Sequence, residues 1–343
     1  MYSFLNDYSE TAHPRILQAI ADTNMVQCPG YGTDEHTQTA VNYIRQKFNA
    51  PDADVYFISG GTQTNLIAIA AFLRCPDGII CAESAHIETL ETGAIEACGH
   101  KMILEPTADG KLTPANIEHA LTVWKDDFSP NPAMVYISNT TELGTVYSRQ
   151  ELKDLYDCCK KHDLIFYIDG ARIGSALTCS DLKMEDYSQL CDAFYIGGTK
   201  NGAMIGEAVV ILRDDLKKNF RRVIKQRGAL LAKGRILGIQ FEELFRDDLF
   251  LELAQHATDC MDIIREGIRS LGYSFLAESP SNQAFPIFPK SILDKIETKY
   301  VVTYHHDCGN GMHCVRLCSS WGTVKEQCVA FVEDLKRWTE EEK

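Results

Sequence analysis

The sequence has no long apolar run and no cluster of basic residues. Its longest uninterrupted apolar stretch, residues 66–73, is far shorter than the roughly 20 residues that span a bilayer, and its first residues lack the pattern of a signal peptide. Lys and Arg number 34 against 48 Asp and Glu, which gives a net charge of −14. We therefore expect a cytoplasmic protein that binds neither membranes nor nucleic acid.

The sequence also lacks the cysteine pattern of a disulfide framework. Its 13 cysteines are odd in number, are scattered over 343 residues, and include the adjacent Cys158 and Cys159. Reduced thiols are the simpler interpretation. Apolar residues make up 45% and charged residues 24% of the chain, as in ordinary globular proteins, and the length favours two domains.

Short apolar runs alternate with helical patterns between residues 54 and 212. Continuously apolar strands separated by helices are typical of a parallel sheet that is covered on both faces. The sequence therefore predicts an α/β fold with a mostly parallel seven-stranded sheet. The predicted strands are Val55–Ser59, Ile79–Ala82, Met102–Leu104, Met134–Ser138, Leu164–Asp169, Phe194–Ile196 and Ala208–Leu212.

After residue 213 the pattern changes to long helices and then to short strands, which predicts a smaller α+β domain. We expect an N-terminal arm (residues 1–25), a large domain (26–245) and a small C-terminal domain (246–343). The predicted helices are Leu216–Lys225, Ala229–Arg246 and Leu249–Leu271, with a last helix from Thr323; the predicted strands are Ser274–Ala277, Ala284–Phe288, Tyr300–His305 and Met312–Ser319.

Asp169 ends one of the predicted strands and Lys200 follows the next, in the segments LIFYIDGAR and AFYIGGTKNG. Ligands of such sheets bind outside the carboxyl ends of the strands. A lysine can hold an aldehyde cofactor as a Schiff base, and a buried acid can keep the ring nitrogen protonated. The pair indicates pyridoxal 5'-phosphate (PLP), bound by the large domain. The alternatives are an ion pair of Asp169 with Arg172 and a solvated loop position for Lys200.

Residues of three other segments fit such a site. Gly61 and Thr62 open a helix directly after a strand, where backbone N–H groups bind phosphate, although a plain capped turn has the same pattern. His86 could stack on a cofactor ring, or could simply begin a helix. Arg316 lies on the same predicted strand face as Cys314, where its guanidinium could grip a carboxylate or remain at a surface edge.

A metal site is the competing interpretation of the C-terminal hairpin. The possible ligands match no closed zinc pattern, and strand alternation would point several of them to opposite faces. We therefore expect packed side chains there and no metal. These residues are His305, His306, Asp307, Cys308, His313, Cys314 and Cys318.

Together these segments resemble the low-specificity L-threonine aldolases, in the β-eliminating lyase group of fold-type I PLP-dependent enzymes. The resemblance runs over roughly residues 4–335, in the order of the family. Its most specific piece is YIDGARI, which holds Asp169. The other pieces are FLNDYSETAHPRIL, PGYGTDEHTQ, SGGTQTN, AHIETLETGA, GGTKNG and CVRL. The resemblance implies a fold-type I PLP-dependent transferase-like fold.

For the cofactor, the resemblance implies a role for each matching residue. Lys200 would carry PLP as a Schiff base, and Asp169 would pair with the ring nitrogen. Gly61 and Thr62 would bind the phosphate. His86 would stack on the ring and organise the water that accepts a proton.

For the substrate, the resemblance implies that Arg172 and Arg316 hold the amino-acid carboxylate, with Arg172 also near the cofactor. Asn6 would face the substrate. Tyr31 and Lys233 would reach the cofactor and substrate site of a neighbouring subunit. The resemblance thus implies a homodimer or homotetramer with shared active sites.

Two segments depart from the family. Its second histidine, in an E-N-T-H segment, is replaced by Thr141 in SNTTELG, and the usual S-K-G around the lysine reads T-K-N. The resemblance implies aldol cleavage of a β-hydroxy amino acid, L-threonine or L-allo-threonine, to glycine and acetaldehyde. Thr141 leaves two alternatives open: a β-eliminating lyase or aminotransferase acting on another amino acid. A non-catalytic PLP-fold binding protein is a third.

Overall fold

The structure, a computed structural model, describes residues 1–342. Its strands are β1 (Tyr2–Ser3), β2 (Asp54–Ile58), β3 (Asp77–Ala82), β4 (Lys101–Glu105), β5 (Asn131–Ser138), β6 (Ile165–Asp169), β7 (Ala193–Gly197), β8 (Glu207–Ile211), β9 (Ser274–Phe275), β10 (Gln283–Ala284), β11 (Pro286–Pro289), β12 (Tyr300–Val301), β13 (Thr303–Gly309) and β14 (Met312–Cys318).

A short 3₁₀ turn covers Glu96–Cys98. The α-helices are α1 (Pro14–Thr23), α2 (Glu35–Lys47), α3 (Gly61–Phe72), α4 (His86–Thr89), α5 (Pro114–Val123), α6 (Arg149–Lys161), α7 (Ile173–Thr178), α8 (Met184–Gln189), α9 (Asp214–Lys217), α10 (Phe220–Gln226), α11 (Arg235–Phe245), α12 (Leu249–Ser270), α13 (Lys290–Lys299) and α14 (Lys325–Glu341). Every described helix is too short or too polar to traverse a bilayer.

The centre of the molecule is a seven-stranded sheet with the order β2-β8-β7-β6-β5-β3-β4. Only β8 runs antiparallel to its neighbours β2 and β7, whereas the other pairs are parallel. The predicted fold class is therefore confirmed, with each of the seven strands at its expected place in the chain.

Alternate side chains of the central strands build two separate cores. In β6, Phe166 and Ile168 pack into one core with helices such as α2, α6 and α11. Ile165 and Tyr167 point to the other core, with α3 and α10. Because both faces are covered, the strands are apolar throughout, which is why the sequence showed them as continuous apolar runs.

A second, smaller sheet lies in the C-terminal part, as predicted. Its order is β10-β14-β11-β9, and β13 also pairs with β14, over a stretch that includes the residues paired with β11. Residues from α12, α13 and α14 cover it, and Phe4 joins the same core from the N-terminal segment. The hairpin β13–β14 carries Arg316 toward the central sheet.

Two predicted helices differ from the expectation: one begins later and the other is divided into two. The helix predicted at Ala229–Arg246 begins only at Arg235, because residues 229–234 form turns after Gly228, whose φ is +77°. The helix predicted at Leu216–Lys225 is split into α9 and α10 by Asn219, which has a left-handed φ of +63°. Asparagine adopts that conformation more readily than most residues.

Candidate active site

The carboxyl ends of the central strands form one cleft that gathers most of the predicted site. Seven predicted residues line it, whereas Asn6, Tyr31 and Lys233 do not. The residues that line the cleft are Tyr8, Ser59, Gly60, Gly61, Thr62, His86, Leu90, Glu142, Asp169, Ala171, Arg172, Tyr195, Thr199, Lys200, Ile205, Glu207 and Arg316.

Asp169 is a buried carboxylate whose hydrogen bonds come from neutral donors. The Tyr136 hydroxyl donates to it at 2.6 Å, the Asn65 amide at 2.9 Å and the Ala171 N–H at 3.0 Å. Burial raises the pKa of Asp169, but the nearby His86 and these hydrogen bonds outweigh burial and lower it. Asp169 is therefore ionised, and among residues 1–342 no Lys, Arg or His forms an ion pair with it.

His86 begins α4 and is held by a second buried acid. Its Nδ1 lies 2.9 Å from Glu91 Oε1, which also accepts from the Asn65 amide at 2.8 Å. Burial lowers the pKa of His86, but Glu91, Glu142 and Asp169 outweigh it, so the pKa is raised. Asn65 thus connects the acid behind His86 with Asp169.

Gly60 and Gly61 form an open helix N-terminus at the floor of the cleft. Gly60 is the N-cap of α3 and has no side chain to cap the first N–H groups. A Cβ at Gly61 would lie 3.2 Å from the Tyr195 hydroxyl, so the absence of a side chain keeps this approach clear. The uncapped N–H groups and the adjacent Thr62 can receive an anion.

Lys200 lies on the turn between β7 and β8, half-buried beside a buried glutamate. Glu207 accepts a hydrogen bond from the Gly198 N–H at 2.8 Å. Burial raises the pKa of Glu207 to about 7, against opposing contributions from Gly198 and Lys200. The neighbourhood of Lys200 therefore contains a carboxyl group that can exchange a proton near neutral pH.

Arg172 is engaged by Asp7 rather than by Asp169, so the alternative ion pair considered for Asp169 is wrong. Its Nε and Nη2 donate to the two Asp7 oxygens at 2.7 and 3.1 Å. Asn282 donates to Asp7 at 3.0 Å. Burial raises the pKa of Asp7, but Arg172 and Lys200 outweigh burial and lower it to about 2.

Arg316 reaches the cleft with much of its guanidinium free. Its Nη2 donates to the Leu5 carbonyl at 3.2 Å and to the Thr303 hydroxyl at 3.4 Å. Its Nε is buried without a partner among the described residues. A buried, unpaired N–H in a cleft that also contains Lys200 is suited to a carboxylate ligand.

Thr141 points away from the cleft, and its neighbour Glu142 lines the cleft instead. The Thr141 hydroxyl lies 2.7 Å from the Thr145 hydroxyl. Glu142 contributes to the raised pKa of His86. The position that holds a histidine in the resembling family is therefore a structural threonine here, next to a carboxylate that faces the site.

Three predicted residues lie outside the cleft of their own chain. Asn6 accepts hydrogen bonds from Tyr8 N–H and the Ser9 hydroxyl at 2.9 and 3.0 Å, so it stabilises a local turn. Tyr31 and Lys233 lie on adjacent loops, because the Tyr31 N–H donates to the Ala232 carbonyl at 3.1 Å. Both side chains are exposed, and their predicted roles in a neighbouring subunit stay predictions.

Sequence reasoning missed several acids and one amide in this region. Asn65 and Asp7 lie in segments that carry the resemblance, GGTQTN and FLNDYSE, yet only their neighbours were selected. Glu91 follows His86 by five residues, a spacing with no fixed meaning in an irregular segment. Glu142 directly follows Thr141 in SNTTELG, but the sequence does not show which side chain of that segment faces the cleft. Glu207 has no signal in the sequence, because only the folded chain brings it to the cleft.

Comparison with known proteins places the chain in a family. The family model of beta-eliminating lyases matches residues 5–305. A low-specificity L-threonine aldolase from Pseudomonas aeruginosa is 32% identical over 97% of this chain and 96% of its own length. The chain therefore belongs to the beta-eliminating lyase family and is an enzyme of the lyase class.

Two solved structures show, respectively, the similarity to a threonine aldolase and the shared fold. A threonine aldolase from Leishmania major has a TM-score of 0.98 and 48% sequence identity, and the match covers 99% of this chain and 100% of the other. A Thermus thermophilus aspartate aminotransferase has a TM-score of 0.73 at 16% identity, covering 98% and 91% of the two chains, which shows the shared fold alone. Within its family, the chain is thus similar to the threonine aldolases.

Proposed function

We propose that the protein is a PLP-dependent aldehyde-lyase that cleaves L-threonine or L-allo-threonine to glycine and acetaldehyde. The observation that carries this proposal is the buried, ionised Asp169, which has only neutral donors and lines a cleft with Lys200 and an open helix N-terminus. Such an anion lacks a cationic partner, and a protonated pyridine nitrogen provides one.

The residues of the cleft fit PLP group by group. Lys200 would hold the aldehyde, Asp169 the ring nitrogen, and Gly61 with Thr62 the phosphate, while His86 would stack on the ring. The chemistry that PLP supplies when bound is an electron sink for the carbanion left when the Cα–Cβ bond breaks.

Arg316 is the residue that we propose to bind the substrate carboxylate. Its unpaired Nε and half-free guanidinium can make two parallel hydrogen bonds to a carboxylate. This grip would fix the substrate so that the breaking bond stands perpendicular to the cofactor ring. Arg172 would assist from the side, with its Nε and Nη2 already bonded to Asp7, and Asn6 would border the substrate.

His86 and Glu91 are the groups that we propose to remove the proton of the β-hydroxyl, through a water. Glu91 holds Nδ1 of His86, so Nε2 is the nitrogen left for the proton transfer. The proton returns to the α-carbon, which balances the reaction as threonine going to glycine and acetaldehyde. Glu142 would contact the β-hydroxyl in the place of the family histidine.

The division of the chain follows the same assignment. We place Lys200, Asp169 and His86 in a large PLP-binding domain, residues 26–245. Arg316 belongs to the small domain, 246–343, and Asn6 to the N-terminal arm, 1–25. The cleft would then bring cofactor groups from the large domain against a substrate group from the small domain.

The direct test is an assay of the purified, PLP-loaded protein with L-threonine and L-allo-threonine. We expect glycine and acetaldehyde in equal amounts, and no reaction by Lys200→Ala. Pyruvate and ammonia from serine would instead indicate β-elimination, and a keto acid formed from a second amino acid would indicate transamination. Absence of all these products would sink the proposal.

Glu142→Gln tests the assignment of the β-hydroxyl contact. We expect the ratio of kcat/KM for the two threonine diastereomers to change by about tenfold, as expected for one hydrogen bond of a charged group. Thr141→Ser is the matched control, because it keeps the hydroxyl that contacts Thr145. An unchanged ratio in Glu142→Gln would remove Glu142 from this role.

We also propose that two copies of the chain complete each other's sites through Tyr31 and Lys233. Large apolar side chains flank these loops on the surface, and Met25 and Val26 are 88% and 51% exposed. Exposed apolar groups of this kind favour burial in an oligomer. Mixing refolded Lys200→Ala and Lys233→Ala subunits should restore activity that neither variant has alone, whereas unrestored activity would argue for independent sites.

A further inference from the structure

The hairpin β13–β14 contains a β-bulge that faces two histidines toward one cysteine. Tyr304 pairs with Val315 and His306 with Cys314, so His305 is an extra residue in β13. A bulge breaks the strict alternation of side chains and re-aims them. Strict alternation would point the side chains of neighbouring residues to opposite faces of the strand, and this was a reason to expect no metal. The bulge at His305 breaks that alternation.

The ligand atoms of this cluster are close enough for a single ion. One ligand atom each from His305, His306 and Cys314 lies within 4.8 Å of the other two. The Nδ1 atoms of the two histidines are 2.6 Å apart. Two nitrogens on one tetrahedral zinc ion lie about 3.4 Å apart, so a small rotation of the exposed His305 would provide the geometry.

We propose that His305, His306 and Cys314 form a Zn²⁺ site with an open fourth position. Two imidazoles and a thiolate are ligands that zinc favours, and three protein ligands leave one position for water or an incoming group. Cys314 is fully buried on β14 and gives the site a fixed point. Binding displaces the thiol proton to solvent, because the thiolate is the form that ligates.

Cys308 supports the site from outside the ligand set. Its Sγ lies 3.5 Å from Nε2 of His306, the ring nitrogen opposite Nδ1. Histidines that bind metals commonly use the second nitrogen for a contact that fixes the ring. The hairpin thus contains both a ligand set and a group that orients one ligand.

A second cluster of possible ligands fits a metal less well. Glu118, Cys158 and His162 also lie close together. Glu118 already forms ion pairs with Lys161 and His162 at 2.7 and 2.9 Å, so its charge is committed. In residues 1–342, no Lys or Arg side chain forms a hydrogen bond with His305, His306 or Cys314.

Cobalt provides the test, because tetrahedral Co²⁺ has visible d–d bands at longer wavelengths than the absorption of PLP. The holoenzyme, without a histidine tag, is stripped with a chelator and titrated with Co²⁺ and then Zn²⁺. We expect one equivalent of Co²⁺ to give tetrahedral bands and Zn²⁺ to abolish them. The readout is independent of aldehyde release, so failure here leaves the proposed reaction untouched.

Variants of the hairpin assign the bands to this site. His305→Ala, His306→Ala and Cys314→Ala should each weaken binding by more than about 100-fold, and Cys308→Ser by about tenfold. His313→Ala is the control, since His313 lies on the same hairpin but outside the cluster. Because Cys314 is buried, the two histidine variants decide the matter if Cys314→Ala does not fold. Octahedral spectra, or full binding in both histidine variants, would overturn the proposal.

Discussion

Two buried aspartates lie close to Lys200, and their charges are balanced in opposite ways. Asp7 is paired internally, with Arg172 on both oxygens and Asn282 beside it. Asp169 has hydrogen bonds from a tyrosine, an amide and a backbone N–H, and no described cation pairs with it. Asp7 therefore has a cationic partner within the chain, whereas Asp169 has none among the described residues.

The two arginines of the cleft, Arg172 and Arg316, also differ in how many of their N–H groups are already bonded. Asp7 occupies Nε and one terminal nitrogen of Arg172, so Arg172 is mainly a fixed part of the wall. Arg316 makes only two longer hydrogen bonds through one nitrogen, and its Nε is unpaired. This difference supports the proposal that Arg316, more than Arg172, binds the substrate carboxylate, although the resemblance implies the same role for both.

Asp169→Asn should separate catalysis from stability most strongly. The amide keeps hydrogen-bonding capacity but cannot stabilise a protonated ring nitrogen, so we expect kcat to fall by about 10³-fold. Thermal unfolding of the PLP-free protein should change less than in Asp7→Asn, because the amide disturbs hydrogen bonds from neutral donors and no ion pair is lost. Steady-state kinetics and a melting curve measure both, and an unchanged kcat would contradict the role of Asp169.

Asp7→Asn should show the opposite profile. It removes the partner of the buried Arg172 and leaves an uncompensated charge, which costs roughly 3 kcal/mol of unfolding free energy. Denaturant unfolding of the PLP-free protein measures this loss, with Asp169→Asn as the matched control. Equal unfolding free energies of the two variants would contradict the claim that Asp7 contributes more to stability than Asp169.

Acid should destabilise the protein partly through Asp7. Its folded-state pKa of about 2 lies below the ordinary value of 3.8, so its ionised form stabilises the fold above about pH 4. That contribution, about 2 kcal/mol, is lost as the pH falls from about 4 to about 2. Unfolding free energies over this range should fall less steeply in Asp7→Asn, and parallel curves would contradict the assignment.

Arg316→Lys and Arg172→Lys sharpen the comparison of the arginines. Lysine keeps the charge and loses the planar fork, so Arg316→Lys should raise KM for threonine about tenfold. Arg172→Lys should mainly lower the melting temperature, because it disturbs the pair with Asp7. A larger rise of KM in Arg172→Lys than in Arg316→Lys would reverse the assignment.

There is a physical reason why the central sheet, and the places of Asp169 and Lys200 at its strand ends, could be predicted from the sequence. Strands buried on both faces are continuously apolar, and Asp169 and Lys200 interrupt that pattern at strand ends. The partners of these residues are long-range: Asn65 to Asp169 spans 104 positions, and Asp7 to Arg172 spans 165. Nothing local in the chain marks such pairs, so they appear only in the folded structure.

The C-terminal hairpin was harder to predict because one extra residue, His305, shifts the pairing of its two strands. Regular alternation would place the side chains of His305 and His306 on opposite faces of the strand. The bulge opposite Cys314 interrupts this alternation. Bulges depend on the pairing of two strands and have no reliable sequence signal here. The start of α11 at Arg235 was likewise not visible in the hydropathy pattern, which continues through residues 229–234.

The central claim is that Lys200 carries PLP opposite Asp169, and one labelling experiment tests it most directly. The PLP-loaded protein is reduced with borohydride, digested, and analysed by peptide mass spectrometry. We expect one phosphopyridoxyl group per chain, on the peptide that contains Lys200. A label on another lysine, or none at all, would contradict the account.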